Sequence, residues 1–116
     1  MQAVILGWKR DNLDNYITDC EAITKELTLN NFSIYTGGGG GFMSAANKGA
    51  YEINKNKSFA ISEKSLYEIE KQSNEYYLKE NLLICDSFAE RKKKLFENKD
   101  LYIFFPGGVG TLDEFM

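Results

Sequence analysis

Histidine is absent from this 116-residue chain, proline occurs once and cysteine twice. Without histidine, the chain alone cannot build a Ser-His-Asp triad, a Cys-His pair, an imidazole base or a His-rich metal site. Acid–base chemistry therefore falls to carboxylates, lysine, tyrosine or water. Cys20 and Cys85 lie far apart with no C-x-x-C spacing, which argues against a disulfide framework or zinc site and for buried free thiols. No apolar run approaches the roughly 20 residues of a membrane span, and the N-terminus lacks the basic, apolar and small-residue order of a signal peptide. The expected address is the cytoplasm. A strong charge of one sign is missing too: 14 basic against 17 acidic residues leave a net charge of −3, and hence no global field for nucleic acid or an anionic membrane. The length admits one domain, residues 1–116, able to bury roughly two thirds of its unfolded surface.

What is present is alternation. Ala3–Leu6 (AVIL) is a short apolar strand ended by Gly7, and Asp11–Asn30 carries Leu13, Tyr16, Ile17, Cys20, Ile23 and Leu27 at helical spacing. Phe32–Tyr35 (FSIY) repeats the strand and runs into Thr36 and five consecutive glycines; Met43, Ala46, Ala50 and Ile53 then share one helical face. Further strands are expected at Lys57–Ile61, Asn81–Cys85 and Leu101–Phe105, the last buried on both faces. Strand–helix alternation of this kind predicts a parallel sheet with helices on both faces. Between Ser62 and Glu80 the chain is polar and aperiodic, fitting either a helix plus loop or a mobile lid. The glycines, at Gly7, Gly37–Gly41, Gly49 and Gly107, Gly108 and Gly110, are placed at the carboxyl ends of strands, the edge where open α/β sheets bind ligands.

The second glycine cluster has the sharper chemistry. Pro106 stops a strand, Gly107, Gly108 and Gly110 permit close backbone approach, and Thr111 opens a helix, so that N–H groups and the helix dipole converge where an anion can sit. A turn needing glycine only for its geometry is the alternative. Asp113 and Glu114 fall in the first helical turn; beside a phosphate they would repel, so they are better explained by positive charge developing elsewhere on the substrate.

DSFAERKKKLFENK, residues 86–99, is a helix with Asp86 or Ser87 as N-cap and a Ser87–Glu90 capping box. Phe88, Leu95 and Phe96 are expected to face the core, Lys93 and Lys94 the solvent. Arg91 lies on the margin of the apolar face, where a guanidinium can hold a carboxylate or phosphate at two points.

Three segments, TGGGGGFMSAANKGAY at 36–51, FAERK at 88–92 and PGGVGTLDE at 106–114, resemble the LOG-type phosphoribohydrolases, Rossmann-like proteins long labelled "possible lysine decarboxylase". The resemblance runs along the whole chain in order, spacing and strand context. It implies a Rossmann-like open sheet of about five strands and hydrolysis of the N-glycosidic bond of nucleoside 5′-monophosphates, cytokinin riboside monophosphates among them, to free base and ribose 5-phosphate. Arg91 and Glu114 would be the catalytic pair. Substrate binding would fall to Gly38, Gly39, Arg91, Lys92, Gly107, Gly108, Val109, Gly110, Thr111, Leu112 and Asp113. No metal, cofactor or pyridoxal chemistry is implied; the expected partners are a small-molecule nucleoside monophosphate and a second copy in a homodimer. Gly40, Phe42 and Ser44 depart from the family, which often has Pro, an aliphatic residue and Glu there. Family members also continue beyond the motif into further strand and helix, whereas this chain stops two residues after Glu114. A second function stays open: a carrier of a nucleotide or molybdenum cofactor that binds without turnover.

Overall fold

The computed structural model describes residues 1–6 and 14–105. Among the described residues, five strands and four α-helices alternate: β1 (Gln2–Leu6), α1 (Asp14–Leu29), β2 (Ser33–Thr36), α2 (Phe42–Ile53), β3 (Ser58–Glu63), α3 (Lys64–Glu70), β4 (Leu82–Cys85), α4 (Phe88–Phe96) and β5 (Leu101–Phe104). Every strand pair is parallel, in the order β4-β3-β2-β1-β5. The expected α/β parallel sheet is therefore present. The chain steps outward from β1 through β4 and then returns to the other side of β1. Because parallel crossovers are right-handed, that reversal moves the connecting helix to the opposite face.

The pleat separates the two faces. Ala3 and Ile5 of β1 join Ile34 and Phe105 against Cys20 of α1 and Phe42, Ala45, Ala46 and Ala50 of α2, with Phe42 and Phe105 stacked at 5.0 Å. Val4 and Leu6 point the other way and pack with Ile61, Cys85 and Leu95 of α4. Burying a side chain such as Leu95, 2% exposed, contributes about 2 kcal/mol.

Several expectations need correction. The last strand is not buried on both faces: among the described residues β5 pairs with β1 alone, and Tyr102 and Phe104 are 41% and 48% exposed. Phe88 is 57% exposed rather than in the core, because it is the first residue of α4 and residues 86–90 at that end of the helix are all exposed. Ile23 is likewise exposed, and Thr24 takes the buried position on α1. Gly49 sits inside α2 rather than at a strand end.

The polar stretch after β3 is a helix plus an anchored connection. Glu63 caps α3, accepting from the Ser65 hydroxyl and the Ser65 and Leu66 N–H groups, and Glu70 and Asn74 are buried beyond it. Its polarity concealed an inward-facing set of hydrogen-bonding groups. Ser87 caps α4 as the capping box required, accepting from Glu90 N–H at 3.1 Å. Among the described residues, no helix is long and apolar enough to cross a membrane.

Candidate functional site

The reversal between β1 and β5 creates a topological switch point, and ligands of open α/β sheets bind outside the carboxyl ends of the strands at such a point. Leu6 and Phe104 pair there, and β2 ends beside them at Thr36. Residues 7–13 and 106–116 continue from the two paired ends. Gly7, Gly107, Gly108, Val109, Gly110, Thr111, Leu112, Asp113 and Glu114, and Leu13, expected in the first helix, lie outside the described residues. The turn after β2 is described in full.

A buried polar network sets that turn. Thr36 Oγ1 donates to Asn47 Oδ1 at 2.5 Å and accepts from Gly38 N–H at 3.0 Å. Asn47 Nδ2 donates to Ser58 Oγ at 2.8 Å and to Phe59 O at 3.1 Å, while Asn74 Nδ2 donates to Asn47 Oδ1 at 2.9 Å. Tyr76 N–H closes the set on Asn74 Oδ1 at 3.0 Å. Asn47 thus uses both ends of its amide to join α2 to β2, β3 and the α3–β4 connection. Each such group, if stranded without its partner in the interior, costs about 1–3 kcal/mol.

Arg91 reaches the same turn from the other face. Its Nε donates to Ile61 O at 3.1 Å and its Nη2 to Gly37 O at 3.0 Å. A side chain at Gly37 would occupy the guanidinium's place, so glycine is required there for a close approach. The margin position expected for Arg91 is where it stands. The two-point grip is on backbone carbonyls, which fixes a positive charge at the carboxyl edge.

The predicted substrate glycines of this turn are buried. Gly38 has φ +82° and lies under the side chains of Ala60 and Ser62. Gly39 donates its N–H to Met43 Sδ at 3.4 Å. The amides of Gly38 and Gly39 thus serve the turn's own shape. Lys92 is exposed on α4, as is Lys93, while Lys94 is half-exposed and paired with Glu97 at 3.2 Å.

Glu70 escaped the sequence reading. It is 4% exposed, and its Oε2 stands 2.5 Å from where a side-chain carbon on Gly39 would be. Its sequence signal was slight: a carboxylate closing a short helix in a polar stretch reads as surface.

A cavity of about 470 Å³ opens at the far end of the turn, lined by Gly41, Ser44 and Lys48 with Glu21, Ser73 and Tyr76. Lys48 pairs with Glu21 at 3.2 Å, and that hydrogen bond raises its pKa further above neutrality. Both thiols are buried and free. Burial, with Glu21 adding to it, pushes Cys20 up to about 12, and burial raises Cys85 as well, so neither supplies a thiolate nucleophile. Among the described residues, no group of three or more Cys, Asp and Glu side chains is placed to hold a metal ion.

Comparison with known proteins adds the family. A family model described as "possible lysine decarboxylase" matches residues 43–116. The X-ray structure of TM1055, a structural-genomics target, superposes with a TM-score of 0.71 at 19% sequence identity, covering 97% of this chain and 65% of that one. The similarity shows a shared fold, and this chain spans 65% of the solved protein's length. No curated protein matches the chain. With the family match running through the Arg91–Lys92 helix and the glycine motif, on a sheet of the family's architecture, the chain belongs to the LOG-type, "possible lysine decarboxylase" family.

Proposed function

We propose that the chain is a nucleoside 5′-monophosphate phosphoribohydrolase, cleaving the N-glycosidic bond to free base and ribose 5-phosphate, with cytokinin-type riboside monophosphates within its substrate class. The observation that carries this reading is the seat of Arg91: the motif arginine is held by the carbonyls of Gly37 and Ile61 at the carboxyl edge of the sheet. Glycosidic cleavage develops an oxocarbenium ion on the ribose, so a carboxylate must stabilise it or activate the attacking water. That role is assigned to Glu114, with Arg91 orienting the substrate. Gly107 through Asp113 would hold the 5′-phosphate a sugar's length away, supported by Lys92. Gly38 and Gly39, whose amides serve the turn, would contribute by seating the neighbouring groups. We further propose a cytoplasmic homodimer.

Ser44 favours one other reading. It lines the cavity beside Gly41 where relatives often carry Glu, which fits a carrier that binds a nucleotide or molybdenum cofactor without turnover. The deciding experiment incubates the protein with each nucleoside monophosphate and measures free base and ribose 5-phosphate. Release of both in equal amounts supports the hydrolase; nucleotide bound without release supports the carrier.

A further inference from the structure

We propose that Phe88 is the platform on which the substrate's base stacks, and thus a residue that sets the preference among nucleobases. For its substrate this rests on the phosphoribohydrolase reading. Phe88, Arg91 and Leu95 follow one another at steps of three and four residues and so share one face of α4. Along that face the helix leaves the core by degrees. Leu95 is 2% exposed and packs with Val4, Leu6, Ile61 and Cys85; Arg91 is half-buried on Gly37 O and Ile61 O; Phe88 is 57% exposed.

The exposed ring belongs to the site. β4 ends at Cys85 and α4 opens at Phe88, so the helix N-terminus stands at the carboxyl edge of the sheet, and helix side chains lean toward the N-terminus. Phe88 is therefore directed past that edge, one helical turn beyond the guanidinium. Ser87 caps the turn by accepting from Glu90 N–H at 3.1 Å, which fixes the backbone that carries the ring. Strand order then places it relative to the substrate. The proposed phosphate turn follows β5, and β2, beyond which Gly37 holds Arg91, is two strands away, about 10 Å at the usual strand spacing. With the phosphate at β5 and the sugar beside Arg91, the base falls toward β3 and β4, where α4 begins.

The chemistry of a phenyl ring selects among the three parts of a nucleotide. It neither donates nor accepts a conventional hydrogen bond, so it has nothing to offer the ribose hydroxyls, and the negative face of its π-system disfavours phosphate. A base is flat and covers it. Stacking of this kind tolerates every base because each has a π-face, while its strength varies with the base, and a purine presents more ring than a pyrimidine.

The test separates the base from the sugar phosphate. Calorimetry measures binding of ribose 5-phosphate and of formycin A 5′-monophosphate, an adenosine monophosphate analogue whose carbon-linked base cannot be hydrolysed, to wild type, Phe88→Ala and Phe88→Tyr; kcat and KM are measured for adenosine and uridine 5′-monophosphate. Phe88→Ala should weaken the analogue by about tenfold or more, the worth of one base–aromatic stack, and leave ribose 5-phosphate unchanged. KM for adenosine monophosphate should rise by more than kcat falls, and the preference for adenosine over uridine monophosphate should shrink. Phe88→Tyr, which keeps the ring, should restore the analogue's affinity. The proposal is overturned by an analogue that binds Phe88→Ala as tightly as wild type, by an equal loss for ribose 5-phosphate, by a Phe88→Tyr as weak as Phe88→Ala, or by a wild type that binds neither ligand. It is overturned too by a Phe88→Ala protein that sediments as a smaller species than wild type, since a second copy would then cover the ring. Analogue binding that depends on Phe88, in a protein that hydrolyses no monophosphate, leaves Phe88 in its role and removes the hydrolase reading.

Discussion

The glycine turn after β2 is held from two sides by different physics. From the side of α2, the hold is neutral and fully buried: Thr36 and Asn47 are both 0% exposed and bond to each other, to the Gly38 amide, to Ser58 and to Asn74. From the side of α4, it is one half-buried guanidinium lying on two carbonyls. A network of neutral groups in the interior is costly to break and gives a fixed backbone; a charged side chain at an edge offers less packing but supplies a field to a ligand. One side should govern stability and the other activity.

Asn47→Ala should break that division most severely. It strands partners on β2, β3 and the α3–β4 connection, so unfolding free energy should fall by about 3–5 kcal/mol, read from urea denaturation. A loss below about 1 kcal/mol would show that water replaces the amide and that the network does not fix the turn. Arg91→Ala should show the opposite profile: turnover lower by roughly a hundredfold or more with the unfolding midpoint within a few degrees of wild type. Equal loss of fold and activity would make Arg91 structural. Glu114→Gln sharpens the same comparison. If the carboxylate acts on a charge present only in the transition state, turnover should fall by roughly a hundredfold while nucleotide affinity stays near wild type.

Smaller effects belong to the margins. Hydrogen bonds from the Ser65 hydroxyl, then from backbone N–H groups, hold the Glu63 carboxyl below the usual carboxylate range. A lowered folded pKa gives stability that is present above the unfolded value of about 4.3 and is lost as pH falls through the folded value. Glu63→Gln should therefore flatten the acid limb of the stability profile, compared by urea midpoints at neutral pH and in acid; an unaltered limb would place the acid sensitivity elsewhere. Lys93→Ala, on the exposed side of α4, should change stability by less than about 0.5 kcal/mol and leave kcat/KM unaltered.

Local pattern made much of this legible. β1, β3 and β5 were readable because short apolar runs between polar ends have few other uses, and the cap of α4 because Ser87 and Glu90 satisfy a rule local to four residues. Arg91 was readable as a marginal residue because helical spacing fixes its angle relative to Leu95. Phe104 and Phe88 misled, since an apolar residue in a strand or on a helix face says nothing about whether another layer lies over it. Glu70 and Asn47 were hidden for the converse reason: a polar residue carries no mark of the partner it will bury with.

The amino acids alone determined the elements, their alternation, the parallel α/β class, the exclusion of histidine chemistry and the glycine-rich carboxyl edge, because each depends on residues near in sequence. Only the tertiary structure decided which groups meet at that edge. Arg91 and Gly37 are 54 residues apart and Asn74 and Asn47 are 27 apart. Contacts across such separations are set by the order in which strands pair and the face to which each crossover is sent, and no periodicity in the chain encodes either.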